Sequence, residues 1–181
     1  MKSQPHALLR QAMRLHQSGQ IEQAMRIYAQ ILEEDANYPD ALHLLGLGHH
    51  QLGNAEKAIE YINKAIGIAP NVPTLYNNLG EAYRLGGQLA SAQECYEKAL
   101  QLQPDHVGAH NNLGIVLSEM GRHEDAANSY QRSLDINPEF VQALYGLAKT
   151  YMEMDRVPDA IVKLQTAVGI SPDSAVLHFE L

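Results

Sequence analysis

Nine histidines and one cysteine are the side chains of this chain best suited to hold a metal or attack a substrate. His106 and His110 are four residues apart, the spacing that puts two imidazoles on one helix face, and His43, His49 and His50 form a second group. Neither group has the HExxH or paired Cys/His spacing of known metal sites. His106 falls at an expected turn, and His49 stands in a column otherwise held by Tyr83, so it is expected in the core. Cys95 has no histidine partner in a catalytic motif and reads as a small core hydrophobe. As the only cysteine it forms no disulfide within the chain, which fits a reducing compartment. The paired acids Glu33-Glu34 and Glu124-Asp125 lie near expected helix ends, where solvent covers them. No glycine-rich phosphate loop or nucleophile elbow is present. The expectation is therefore no catalytic residue, no metal, no cofactor and no enzyme activity. What remains is amide chemistry: Asn77-Asn78 recurs 34 residues later as Asn111-Asn112. A side-chain amide offers both a donor and an acceptor. Amides at a regular step could hold an extended peptide by its backbone with little sequence preference. The alternative is that they bond across neighbouring helices and only shape the stack.

The elements that would carry these amides follow from the same period. Pro70, Pro104, Pro138 and Pro172 are each 34 residues apart, as are Leu45, Leu79, Leu113 and Leu147. Gly46, Gly80 and Gly114, then Ala148, form another column; Gly19, Gly53, Gly87 and Gly121, closed by Asp155, form a third; Ala24, Ala58, Ala92, Ala126 and Ala160 form a fourth. A fixed period of this length is the mark of a stacked-repeat architecture. Within each unit two apolar patterns at three- and four-residue steps flank one glycine, which reads as two helices and a tight turn. Leu75, Tyr76, Leu79, Ala82 and Tyr83 form the first pattern of the third unit; Leu89, Ala92, Cys95, Tyr96, Ala99 and Leu100 form the second. Gly80 and Ala92 are small where the two helices must cross closely. Proline ends the second helix, and Asn71, Asp105 and Asp173 behind it are placed to cap the next one; Glu139 breaks that column. Pro158 falls at a helix start, where proline is tolerated.

This pattern of leucine-glycine, tyrosine, glycine, alanine, tyrosine, alanine and proline resembles the tetratricopeptide repeat. The resemblance runs from Pro5 to Leu181, with Leu42, Tyr76, His110 and Leu144 in the column of the usual tryptophan. It implies an all-α fold, a right-handed superhelical solenoid of antiparallel helix pairs. The expected repeats are 5–38, 39–72, 73–106, 107–140 and 141–174, with 175–181 opening a further repeat or a capping helix. Because Val176, Leu177 and Phe179 do not make a polar cap, the natural protein is expected to continue. In this family the first helices line the concave groove. Carried over by column, the groove residues would be His43, Leu47 and His50; Asn77, Asn78, Glu81 and Arg84; Asn111, Asn112 and Ile115; and Tyr145 and Lys149. Asn78 and Asn112 resemble the asparagine ladder in the repeats of O-linked N-acetylglucosamine transferases, here with Leu44 before it and Gly146 after it. The lysines and arginines of a carboxylate clamp are absent, so capture of a chaperone C-terminus is not expected.

A net charge of −8 over 181 residues disfavours nucleic acid and anionic membranes as general partners. The start MKSQPHALLR is too polar for a signal peptide and no apolar run reaches spanning length, so the expected compartment is the cytoplasm. The function expected is a non-catalytic scaffold that binds a protein or an extended peptide in its groove. Two alternatives stand beside it: the recruiting repeat arm of a larger glycosyltransferase, methyltransferase or sulfotransferase, and a self-assembly module.

Overall fold

The computed structural model describes residues 5–172. Those residues form ten α-helices and no strand, so the fold is all-α. They fall into two compact units, 1–88 and 89–181. The first holds α1 (Pro5–Gln17), α2 (Ile21–Glu34), α3 (Pro39–Gln51), α4 (Ala55–Ile68) and α5 (Pro73–Leu85). The second holds α6 (Leu89–Leu102), α7 (Val107–Glu119), α8 (His123–Ile136), α9 (Val141–Glu153) and α10 (Val157–Ile170). From α3 onward each first helix begins 34 residues after the last, at Pro39, Pro73, Val107 and Val141.

Each first helix ends the same way. The residue that turns the chain has positive φ: Gly19 at 78°, Gly53 at 76°, Gly87 at 72°, Gly121 at 75°, and Asp155 at 59°. The next amide then reaches back five residues, as in Asn54 N–H to His49 O at 2.8 Å and Arg122 N–H to Leu117 O at 2.9 Å. This is the Schellman closure, which needs a left-handed residue at that point. From α4 onward second helices stop two residues short of proline, α4 at Ile68 before Pro70 and α8 at Ile136 before Pro138, where the residue before proline avoids helical backbone; α2 ends at the equivalent Glu34 with Ala36 in the proline column. Pro158 sits in the first turn of α10.

The expected caps at Asn71 and Asp105 are not made. The N-cap residue is Val72 for α5 and His106 for α7, one position later. His106 is thus not a turn residue but a cap, its Nδ1 accepting from the Ala109 amide at 3.1 Å. His110 Nε2 bonds to the Pro104 carbonyl at 2.9 Å, so both imidazoles are occupied with local backbone. Asn54 caps α4 through its side chain, accepting from Lys57 N–H at 3.1 Å. Asp173 and the 175–181 segment lie outside the described residues.

Small residues let the helices close on one another. Ala24, Ala58, Ala92 and Ala126 are wholly buried. A Cβ on Gly46 would come within 2.7 Å of Ile62 Cγ1, and one on Gly48 within 2.6 Å of Met25 Cγ. Large side chains fill the remaining space: Tyr28 and Ile62 in the first unit, Tyr96, Leu147 and Val116 in the second, all fully buried. Burial pushes the Tyr28 hydroxyl up to about 12, and His16 Nδ1 lies 3.2 Å from it. The Cys95 thiol is buried and raised to about 11, chiefly by that burial with Glu94 adding to it, which keeps it protonated and unreactive. His49 differs from its expected place in the core: it is half-buried and stacks flat on Tyr61, ring centroids 5.5 Å apart. Leu113 is also only half-buried, unlike Leu45, Leu79 and Leu147 in its column.

Candidate peptide-binding site

In the first unit the expected groove residues His43, Asn77 and Asn78 meet in one hydrogen-bonded chain. Asn77 Nδ2 donates to Asn78 Oδ1 at 3.2 Å, and Asn78 Nδ2 lies 2.7 Å from His43 Nε2 on α3. An amide nitrogen only donates, so His43 accepts and is the neutral tautomer with its proton on Nδ1. Burial lowers the pKa of His43, with Asp40 opposing, and this favours that neutral form. Asn78 thus makes the cross-helix contact that was the alternative to gripping a peptide. Leu47, His50, Glu81 and Arg84 are half-buried along α3 and α5.

In the second unit Asn111 Nδ2 likewise donates to Asn112 Oδ1 at 3.2 Å. Asn77 and Asn111 are buried, 8% and 5% exposed, which corrects their placement as groove residues. Neighbouring positions on a helix are about 100° apart, so the second asparagine of each pair takes the open face and the first turns inward. Lacking water, the inward amide bonds to its neighbour.

Three further expected residues do converge. Ile115 on α7 with Tyr145 and Lys149 on α9 line one cavity of about 380 Å³. Its floor was not foreseen. The ring of Tyr130 on α8 lies beneath it, only 3% exposed, held between two glycines. A Cβ on Gly114 would meet the ring at 2.8 Å, and one on Gly146 at 2.6 Å. Gly146 occupies the column of Asn78 and Asn112, so where those positions carry an amide this one carries nothing, and the space above the ring stays open. The rim is polar: Ser118 and Glu119 on α7, Gln142 and Lys149 on α9. Glu119 and Tyr145 each have partners of their own, whereas Lys149 is exposed and enters no ion pair among the described residues. The period alone would have pointed to Gly146 as the exception in its column; nothing in the sequence tied it to Tyr130.

No group of three or more metal-ligating side chains occurs among the described residues, and no helix there is long and apolar enough to cross a membrane.

Helix pairs at a 34-residue step, closed by a left-handed turn and presenting a first-helix face with a mixed cavity, define an all-α repeat solenoid. A family model described as tetratricopeptide repeat matches residues 71–139, and a second of the same description matches 15–83 and 117–180. The chain belongs to the tetratricopeptide repeat family. Among solved structures it is similar to TTC0263, a thermophilic TPR protein of Thermus thermophilus, at 23% identity over 98% of this chain and 96% of that one, TM-score 0.81. It is similar to YrrB, described as a TPR protein with an unusual peptide-binding site, at 21% identity over 96% and 89%, TM-score 0.73. PilF of Pseudomonas aeruginosa matches at 20% identity over 96% and 79%, TM-score 0.86. Identities this low carry the fold and not the function. No curated protein sequence matches the chain.

Proposed function

We propose that this chain is a non-catalytic scaffold that holds an extended segment of a partner protein against the first helices α7 and α9 of its second unit. The observation that carries this is the cavity itself: residues from two first helices line it, its walls are apolar and its rim is polar. That combination is the usual make-up of a binding site, apolar surface for affinity and a few polar groups for orientation. Three residues expected at the site from their columns, Ile115, Tyr145 and Lys149, are among those that line it. The asparagine pairs serve mainly to fix the helix faces, since each amide already has a partner within its own unit. YrrB gives a member of the same fold with a peptide site. A photo-crosslinking amino acid placed at Gln142 should trap a partner in the source cell, whereas one at the exposed Gln131 on α8 should not. Equal trapping from both positions, or trapping from Gln131 alone, would remove this face as the site.

A second reading, self-association, rests on α10. Val157, Ile161, Val162 and Ile170 are 39–58% exposed there, while Ala127, one repeat before Ile161, is buried at 7%. Sedimentation velocity across a hundredfold range of concentration tests it: a monomer throughout would sink it.

A further inference from the structure

We infer that the cavity above Tyr130 is an anchor pocket for one bulky apolar side chain of the partner, and that Lys149 pairs with a carboxylate one or two residues away on the same peptide. This rests on the proposal that the α7–α9 face binds a peptide and adds the chemistry of that peptide. The anchor follows from size and lining. At about 380 Å³ the cavity lies near the lower end of ligand sites, about 300–1,000 Å³, which is room for one or two side chains and not for a folded element. Ile115, the Tyr145 ring, the Tyr130 ring and the bare Gly146 backbone give it apolar walls. An aromatic guest gains ring-edge contacts beyond area burial there.

The sign of the second contact follows from which charge is unspent. Two charged side chains stand on the rim, Glu119 and Lys149. Glu119 already has a partner, while Lys149 has no ion pair among the described residues. Most acids of this unit sit elsewhere: Glu94 and Glu97 on α6, Glu124, Asp125 and Asp135 on α8, Asp159 on α10. The first helices α7 and α9 carry only Glu119, Lys149 and Glu153, so an incoming carboxylate meets a nearly neutral face with one cation at the pocket. The spacing follows from the helix. Lys149 is three residues along α9 from Gly146, about 4.5 Å at 1.5 Å per residue. An extended peptide advances about 3.3 Å per residue, so the carboxylate lies one or two residues from the anchor.

The test is selection of a phage-displayed random dodecapeptide library on the intact chain, followed by affinity measurement of the enriched peptides as blocked synthetic peptides. The expected consensus is an aromatic or large aliphatic residue with aspartate or glutamate within two positions. Lys149→Gln should weaken those peptides about two- to fivefold at low salt, the range of an exposed ion pair, and the difference should shrink as salt rises. Gly146→Asn, which restores the amide of the column and fills the pocket, should abolish anchor preference. A far-ultraviolet circular dichroism melt of each variant guards against unfolding, and Gln142→Ala at the rim provides a milder second variant. A consensus with the anchor but with basic or no charged neighbours, insensitive to Lys149→Gln, overturns this inference and leaves peptide binding to α7–α9 standing. Enriched peptides indifferent to Gly146→Asn and Gln142→Ala, or no enrichment, overturn both.

Discussion

Replacing Gly114 with alanine should destabilise the second unit, although alanine is the better helix former. Gly114 is in the middle of α7, where alanine gains about 0.5–1 kcal/mol over glycine. Against this, the new Cβ would lie 2.8 Å from Cδ1 and Cε1 of Tyr130 and 3.0 Å from its Cγ. Optimal carbon contacts are about 3.5–4.0 Å. The ring is hemmed in by a second helix, because its Cε1 and Cζ already face the bare backbone of Gly146, where a Cβ would lie at 2.6 Å, so it yields only toward the cavity that it floors. Overpacking of a well-packed contact costs about 1–3 kcal/mol. The net is a loss of up to about 2.5 kcal/mol, or a fall in Tm of up to roughly 10 °C for a chain of this size. Gly169→Ala is the control: that glycine is also helical, but nothing lies within 4 Å of its would-be Cβ, so alanine should stabilise there by about 0.5–1 kcal/mol. Thermal melts of both, with Gly114→Ala/Tyr130→Leu closing a double-mutant cycle, separate propensity from packing. If Gly114→Ala raises Tm as Gly169→Ala does, the ring is not where the packing places it.

Three other perturbations follow. Asp155→Gly should raise stability by up to about 1 kcal/mol, since Asp155 is the one non-glycine residue in the left-handed column; Gly121→Ala should lower it by about 1–2 kcal/mol despite open space around it, both read by urea unfolding. Asn54→Ala should cost about 0.5–2 kcal/mol through its lost cap, while Asp105→Ala should stay within about 0.5 kcal/mol because it caps nothing. His43 has a folded pKa below the ordinary 6.5, so its contribution to stability is complete above pH 6.5 and declines as pH falls through the folded value; protonation also removes the acceptor of the Asn78 amide. An NMR titration of the imidazole that gave a pKa at or above 6.5 would contradict that network.

The repeat skeleton was legible because it depends on residues whose backbone or size is unusual. Glycine and aspartate at 19, 53, 87, 121 and 155 mark a left-handed turn that few residues tolerate, and the alanine column marks a crossing that admits no more than a methyl group. Family membership and the all-α solenoid class followed from those columns, and the family match over 15–83, 71–139 and 117–180 agrees. Caps were less legible. A side chain one residue nearer the helix suffices, and histidine at 106 serves where aspartate at 105 was expected. Pairing partners were not legible at all. The bond from Asn78 to His43 joins residues 35 apart on different helices, and no local pattern encodes it. His49 shows the same limit, since its column pointed to the core and its geometry is set by Tyr61.

The site differs from the skeleton because it arises where the period is broken, and a break acquires meaning only from what lies beneath it. The column of Leu44, Asn78, Asn112 and Gly146 is one position on successive first helices. At Asn78 the histidine of the preceding first helix turns the amide into a strut. At Asn112 the buried Asn111 occupies one lone pair of the amide oxygen. At Gly146 the column presents no side chain, and it does so directly over a tyrosine ring that a Cβ would strike at 2.6 Å. The glycine therefore serves two ends with one deletion: it lets Tyr130 pack between α7 and α9, and it leaves the ring as the floor of a cavity. Thr150 one turn later donates to the Gly146 carbonyl at 2.8 Å, tying down the backbone that glycine would otherwise loosen. A packing requirement and a binding surface thus share a residue. Gly146→Ala should for that reason damage stability and peptide binding together, whereas Lys149→Gln, exposed on the rim, should change binding and leave the melting temperature where it is.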